Sequence, residues 1–155
     1  MDRGVAVAYV LVPVANPSEI AGFYTLSATS VKLEGLPKDL IKKLPRYPAV
    51  PATLLGRLAI SANHQRKGFG ERLLVDALLR SLAASASVGS VVVVVDAKDE
   101  SNAGFYTKYG FIKFVDSPLR LFMMMATVAE LWPSRPASEE GQRSTGVGPE
   151  RLRRR

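Results

Sequence analysis

Residues 64 to 70, "HQRKGFG", follow an apolar run and precede an amphipathic one. Gly68 and Gly70 lack a Cβ and tolerate unusual φ values, so the backbone there can approach a ligand closely. A helix beginning at this point would turn the unpaired N–H groups of its first turn outward, which suits a phosphate. Arg66 and Lys67 add positive charge where such an anion sits. The chemistry on offer is anion binding, yet an ordinary strand-to-helix turn would use the same glycines to relieve backbone strain. Neither well-known phosphate loop is present. No Gly-Lys-Ser/Thr occurs, and the third glycine of a dinucleotide fingerprint falls on Leu73.

A second stretch with chemical content is "DESNAGFYTKYGF", residues 99 to 111. Phe105 and Tyr109 are four apart on a short helix and are expected to pack inward. Tyr106 lies one position round from Phe105, where its phenol can face a cleft as a proton donor; alternatively all three aromatics are core. The sequence has no cysteine, which excludes disulfides, a thiol nucleophile and cysteine-based zinc sites. One histidine, His64, cannot build a histidine metal cluster, and no carboxylate motif resembles a calcium or magnesium site. No metal is expected.

These residues must be positioned by an α/β fold. "VAVAYVLV" (5–12) and "IAGFYTLSATSVKL" (20–33) read as an antiparallel pair around "PVANPSE". "LPKDLIKKL" (36–44) has helical spacing, the proline-rich "PRYPAVPA" (45–52) connects, and "TLLGRLAIS" (53–61) is the next strand. From Glu71 to about Ser87 the leucines 74, 78 and 82 line one helix face, and Gly89 stands where a helix-ending glycine belongs. "VVVVVDA" (91–97) is unbroken valine, the mark of a strand buried on both faces. A short helix over 99–110 opens on an acidic cap, and "FIKFV" and "RLFMMMATV" close the fold as strands around the turn "DSPL". Residues 1–131 form one domain. The segment 132–155, rich in Pro, Gly, Ser and Arg, is expected to be a disordered basic tail.

The formal charge is +7, of which the six arginines and three glutamates of residues 133–155 supply +3 and the preceding residues +4. A basic body with a basic tail favours a polyanionic partner such as nucleic acid, while simple solubility explains the same charge. The first apolar run is too short to span a bilayer and is ended by Pro13 and Pro17, so it reads as a strand of a cytoplasmic protein without membrane association.

Together the two chemical stretches resemble the GNAT superfamily of N-acetyltransferases. Gln65 to Gly70 match its [Q/R]-x-x-G-x-[G/A] loop, and Phe105 to Phe111 its FYxxxGF signature, with one helix and one strand between. The likeness covers roughly residues 54 to 115. It implies a GNAT fold, a mixed and mostly antiparallel sheet whose central strands splay, flanked by helices. It further implies that Gln65, Arg66, Lys67, Gly68, Phe69 and Gly70 hold the pyrophosphate of acetyl-CoA. Leu58, Ala59 and Ile60 would line its pantetheine arm, with Asn102 and Phe105 beside the cofactor. Tyr106 would be the general acid that protonates the departing thiolate while an amine attacks the thioester directly.

"GRLAI" (56–60), the acidic turn before Asn102 and "PLRLFMMM" (118–125) are similar to the toxin acetyltransferases of bacterial toxin–antitoxin pairs. The acceptor implied is the α-amino group of aminoacyl-tRNA. Arg57 is either this subgroup's arginine at the acetyl cleft or a strand arginine in a salt bridge. A ribbon-helix-helix antitoxin and a homodimer are implied by the same likeness. Other acceptors, a protein N-terminus or a small amine, remain open, as does a truncated protein that binds cofactor without turnover. Two departures stand out. Asp99 replaces an asparagine common in the superfamily and is read first as a helix cap. The chain also starts almost at its first strand, where the family usually has one or two helices that help form the acceptor site.

Overall fold

A computed structural model describes residues 6–42, 44 and 48–132, and the backbone of 150–154. Among the described residues seven strands form one sheet: β1 (Val7–Pro13), β2 (Gly22–Lys32), β3 (Ala49–Ile60), β4 (Val92–Asp96), β5 (Ile112–Phe114), β6 (Ser117–Met124) and β7 (Glu150–Arg154). Their order is β5-β6-β4-β3-β2-β1-β7. Only β3 and β4 are parallel neighbours, and the long helix α2 (Phe69–Val88) makes the crossover between them. The expected mixed, mostly antiparallel α/β sheet is therefore present.

The valine run behaves as its composition requires, with Val92 to Val95 all buried. Val93 and Val95 join the core beneath α2, where Leu73, Leu74, Ala77 and Leu78 make the apolar face. Ala103 and Tyr106 of α3 (Glu100–Lys108) and Met125 and Val128 of α4 (Met125–Leu131) complete that core. Val92 and Val94 point the other way, towards Val31, Val50, Phe114 and Phe122. That second core is lidded by Leu36, with Leu40 and Ile41 of the single turn α1 (Lys38–Ile41) packed against it.

Four expectations change. The helix foreseen over 36–44 shrinks to the single turn α1. Strand β3 begins at Ala49, inside the proline-rich stretch, with Pro51 opposite Ser30. Pro51 is exposed, and its carbonyl accepts from Val91 N at 3.0 Å, so the ladder uses the one backbone group that proline keeps. The run "RLFMMMATV" is not all strand: it bends into α4 after Met124, with Met125 and Val128 buried at a spacing of three. Finally, the tail is ordered at two places. Trp132 packs against the core under α2, and Glu150–Arg154 pairs antiparallel with β1. An edge strand needs only backbone partners, so "ERLRR" carries no apolar pattern to announce it. Residues 133–149 of that tail lie outside the described residues.

One polar cluster ties α2 to the sheet. The fully buried Tyr24 donates its hydroxyl to Asp76 Oδ2, which also accepts from Arg80 Nε at 2.8 Å. The Arg80 guanidinium lies 4.4 Å from the centre of the Tyr9 ring, and Tyr9 stacks on Tyr24. Burial, followed by the hydrogen bond to Asp76 and its charge, pushes the Tyr24 phenol far above the ordinary tyrosine range.

Candidate active site

The start of α2 has the features that anion binding requires. Gly68 sits at its N-cap with φ +79°, and a Cβ placed there would meet nothing within 4 Å. Glycine is needed here for the left-handed backbone, then, not for space. Arg66, two residues earlier, is also left-handed at φ 63°, a strained conformation for a side-chain-bearing residue. The helical ladder opens with Arg72 N donating to Gly68 O, and no side chain caps the first turn. The N–H groups of Phe69, Gly70 and Glu71 are thereby left without helical acceptors. Gly70 keeps the first turn open on its other side, where a Cβ would come to 3.6 Å from the Phe105 ring.

The strand that leads into this loop is splayed. β3 and β4 pair from Ala52↔Val92 to Leu55↔Val95 and then part, while β3 stays on β2 as far as Ile60↔Gly22. At the parting point the β2–β3 register slips by one between Tyr24 and Leu26, so Gly56 and Arg57 together face Thr25. Arg57 N donates to Thr25 Oγ1 at 3.1 Å. Beyond Leu55 the β4-facing N–H groups of β3 have no strand to meet and open on a cleft of about 890 Å³.

That cleft gathers nearly every residue singled out in the sequence. Arg57, Leu58, Ala59, Ile60, Gln65, Arg66, Gly68, Phe69, Gly70, Asn102, Phe105 and Tyr106 all border it; Lys67 does not. Gln65 turns its side chain back, donating to Ile60 O at 3.2 Å, so it braces the loop. Asp99 is the cap of α3, accepting from Asn102 N at 2.8 Å, and Asn102 Oδ1 in return accepts from Lys98 N. Arg57 has no ion pair among the described residues, which removes the strand salt bridge as its explanation. His64 borders the cleft with Nε2 2.8 Å from Glu19 Oε1, and its Nδ1 is buried without a partner.

Tyr106 is the more buried of the two α3 aromatics, with 4% of its surface exposed, and still reaches the cleft wall. Phe105 and Phe111 meet its ring edge-on at 5.2 and 5.5 Å. Among the described residues its hydroxyl has no hydrogen-bond partner. Burial pushes the phenol up to about 12, which keeps it protonated at neutral pH, as a proton donor must be. Phe23, Asp96, Lys98 and Ser101 also line the cleft, and sequence reasoning did not single them out. Among the described residues no cluster of three or more His, Cys, Asp or Glu is placed to hold a metal.

An unpaired helix start, a splayed parallel pair and a buried phenol on one cleft form the same constellation that the two sequence motifs suggested. Residues 7–113 match the model of the acetyltransferase (GNAT) domain. The chain belongs to the GNAT family. Within it, the chain is 27% identical over 119 residues to a probable toxin TacT of Sinorhizobium fredii, covering 72% of this chain and 66% of that protein. It is 33% identical over 106 residues to a tRNA-acetylating toxin of Mycobacterium tuberculosis, covering 68% and 63%. This GNAT chain thus spans slightly less than two thirds of the length of both relatives. A solved structure of AtaT complexed with acetyl-methionyl-tRNAfMet superposes with a TM-score of 0.76 at 32% identity, covering 83% of this chain and 76% of that one.

Proposed function

We propose that this GNAT chain transfers an acetyl group from acetyl-CoA to the α-amino group of aminoacyl-tRNA. The observation that carries the proposal is the splay of β3 from β4 with Tyr106 at its wall and the bare first turn of α2 at its end. A pyrophosphate has three unpaired N–H groups to receive it, with Arg66 beside them. The thioester arm then has the free edge of β3, whose N–H groups suit the carbonyl oxygen as it gains charge. The amine attacks the carbonyl carbon, a C–N bond forms, and the C–S bond breaks. Tyr106 gives its proton to the departing thiolate. Without a cysteine there is no thiol to hold an acyl intermediate, which favours direct transfer.

Support for a tRNA acceptor comes from the tRNA-acetylating relative and the tRNA-bound AtaT structure, from the +7 charge and from Arg57, an unpaired cation on the cleft. An antitoxin of the ribbon-helix-helix type and a second copy of this chain are the partners that this reading implies, with action in the cytoplasm. The decisive variant is Tyr106→Phe, which removes one oxygen from a site held by packing. Transfer of labelled acetyl to charged tRNA should fall by about 10²–10⁴-fold, with acetyl-CoA binding retained in calorimetry. Unchanged transfer by this variant would remove Tyr106 from the acid role.

A further inference from the structure

We infer that Asp96 is the group that meets the acceptor amine and takes its proton during transfer, an assignment that rests on the acetyl-transfer reading above. Side chains alternate between the two faces of the sheet along β4. Val93 and Val95 point into the core under α2, and Val92 and Val94 into the opposite core. Asp96 continues the second set, because successive strand residues alternate faces. Its cross-strand partner Arg120 shares that face, and the Arg120 guanidinium lies 5.7 Å from the ring centre of Phe114, a member of the second core. On β3, past the slip at Gly56 and Arg57, Leu58 and Ile60 pack towards α2, so Arg57 turns to the opposite face.

The cleft therefore has two sides. Tyr106 and the bare helix start lie on the α2 side, where Phe69 joins the core. Asp96 and Arg57 border the same cleft from the other side, at the point where β3 and β4 part. A thioester held in the gap would present its sulfur to the phenol on one side. The carbonyl would be open to attack from the other, where a carboxylate waits. Asp96 has its side chain 58% exposed, and its Oδ1 stands 3.4 Å from Arg120 Nε. This is an ion contact without hydrogen-bond geometry, since Arg120 Nε is buried with no hydrogen-bond partner. The carboxylate thus keeps its acceptor capacity for an incoming N–H, while Arg120 holds it in place.

The chemistry balances without another reagent. When the neutral amine attacks, the new C–N bond leaves nitrogen positively charged and far more acidic than the free ammonium. One N–H proton passes to the Asp96 carboxylate, the C–S bond breaks, and the thiolate takes the Tyr106 proton. The two residues are left with one proton too many on Asp96 and one too few on Tyr106. Exchange with solvent resets both.

The test compares Asp96→Asn and Asp96→Glu with the full wild-type chain, using acetyl-CoA calorimetry and transfer of labelled acetyl to charged tRNA, peptides and polyamines. Asp96→Asn should bind acetyl-CoA as the wild type does and lose about 10²-fold or more in acceptor kcat/KM. That deficit should narrow as pH rises and solvent takes over the proton, a change that a purely structural role would not produce. Arg57, His64, Arg66, Lys98 and Asp99 share the cleft with Asp96, and Arg120 pairs with it from β6. Asp96→Glu should retain most of the transfer, and Asp96→Ser replaces Asp96→Asn if the latter fails to bind acetyl-CoA. Wild-type rates in Asp96→Asn, or a deficit equal at every pH, would overturn the assignment. A wild type that ignores charged tRNA but acetylates a peptide or polyamine would overturn the tRNA reading alone, and Asp96 is then judged on that amine. A wild type that acetylates no amine overturns both.

Discussion

At the scale of residues, Tyr106 carries the most chemistry in the smallest space. Its phenol sits among Phe105, Phe111 and the core under α2, and burial raises its ionisation from the usual 10.0 to about 12. The raised value has two consequences of opposite kind. For catalysis, the proton remains available well past neutrality, so the kcat profile should show no alkaline decline from this group at pH 10, where an exposed tyrosine is half ionised. A fall centred near 10 in the wild type, absent from Tyr106→Phe, would contradict the buried placement. For stability, the folded chain holds this proton more tightly than the unfolded one. The linked contribution is therefore complete below pH 10 and is lost as pH rises towards 12. Asp96 shows the limit of reading residues singly. "VVVVVD" marks a buried strand, but which face its last side chain takes depends on register and on where the neighbouring strand departs. The glycine loop and "FYTKYGF" were legible because their spacing is local, and spacing along a chain survives into the fold.

At the scale of elements, α2 is the part that both builds and holds the site. Its N-terminal turn is the proposed seat of the anion, and its second and third turns are tied to β1 and β2 through Tyr24, Asp76, Arg80 and Tyr9. Tyr24 also pairs with Leu58, on the splayed stretch of β3, so the clamp joins the helix to the strand proposed to line the donor arm. Asp76→Ala would leave a buried hydroxyl and a guanidinium without their shared acceptor, at a cost of about 1–3 kcal/mol. For a chain of this length the melting midpoint should drop by roughly 2–10 °C. Acetyl-CoA affinity should weaken with it, and a Tm unchanged in calorimetry would show that the clamp is ornamental. The elements around the site were legible where one periodicity dominates, as in α2 and β4. They were not where apolar runs suit either period: "RLFMMMATV" holds both the end of β6 and the start of α4. The return of the chain through Pro51 was hidden because proline signals a break, and only the sheet shows that its carbonyl is still used.

At the scale of the molecule, the sheet has its outer position beside β1 filled by β7, residues that also bring a dense positive charge. Arg151, Arg153, Arg154 and Arg155 contribute four of the chain's 21 cationic side chains. Two physical roles meet there. The backbone of β7 satisfies the edge of β1, which would otherwise offer a template for pairing between copies. Its sequence is rich in arginine, a residue suited to phosphates. Removing residues 150–155 separates the roles from catalysis, since Tyr106, Asp96 and the α2 start lie far along the sheet order from β7. Acetyl-CoA binding should be unaffected, while light scattering should report more self-association. The full chain's apparent affinity for charged tRNA should weaken on the order of 100-fold between 50 and 200 mM salt if about four phosphates are neutralised. The shortened chain should bind tRNA more weakly at low salt and show a shallower salt dependence. Identical slopes for the two chains would place the polyanion contact elsewhere on the domain and leave β7 as an edge cover alone.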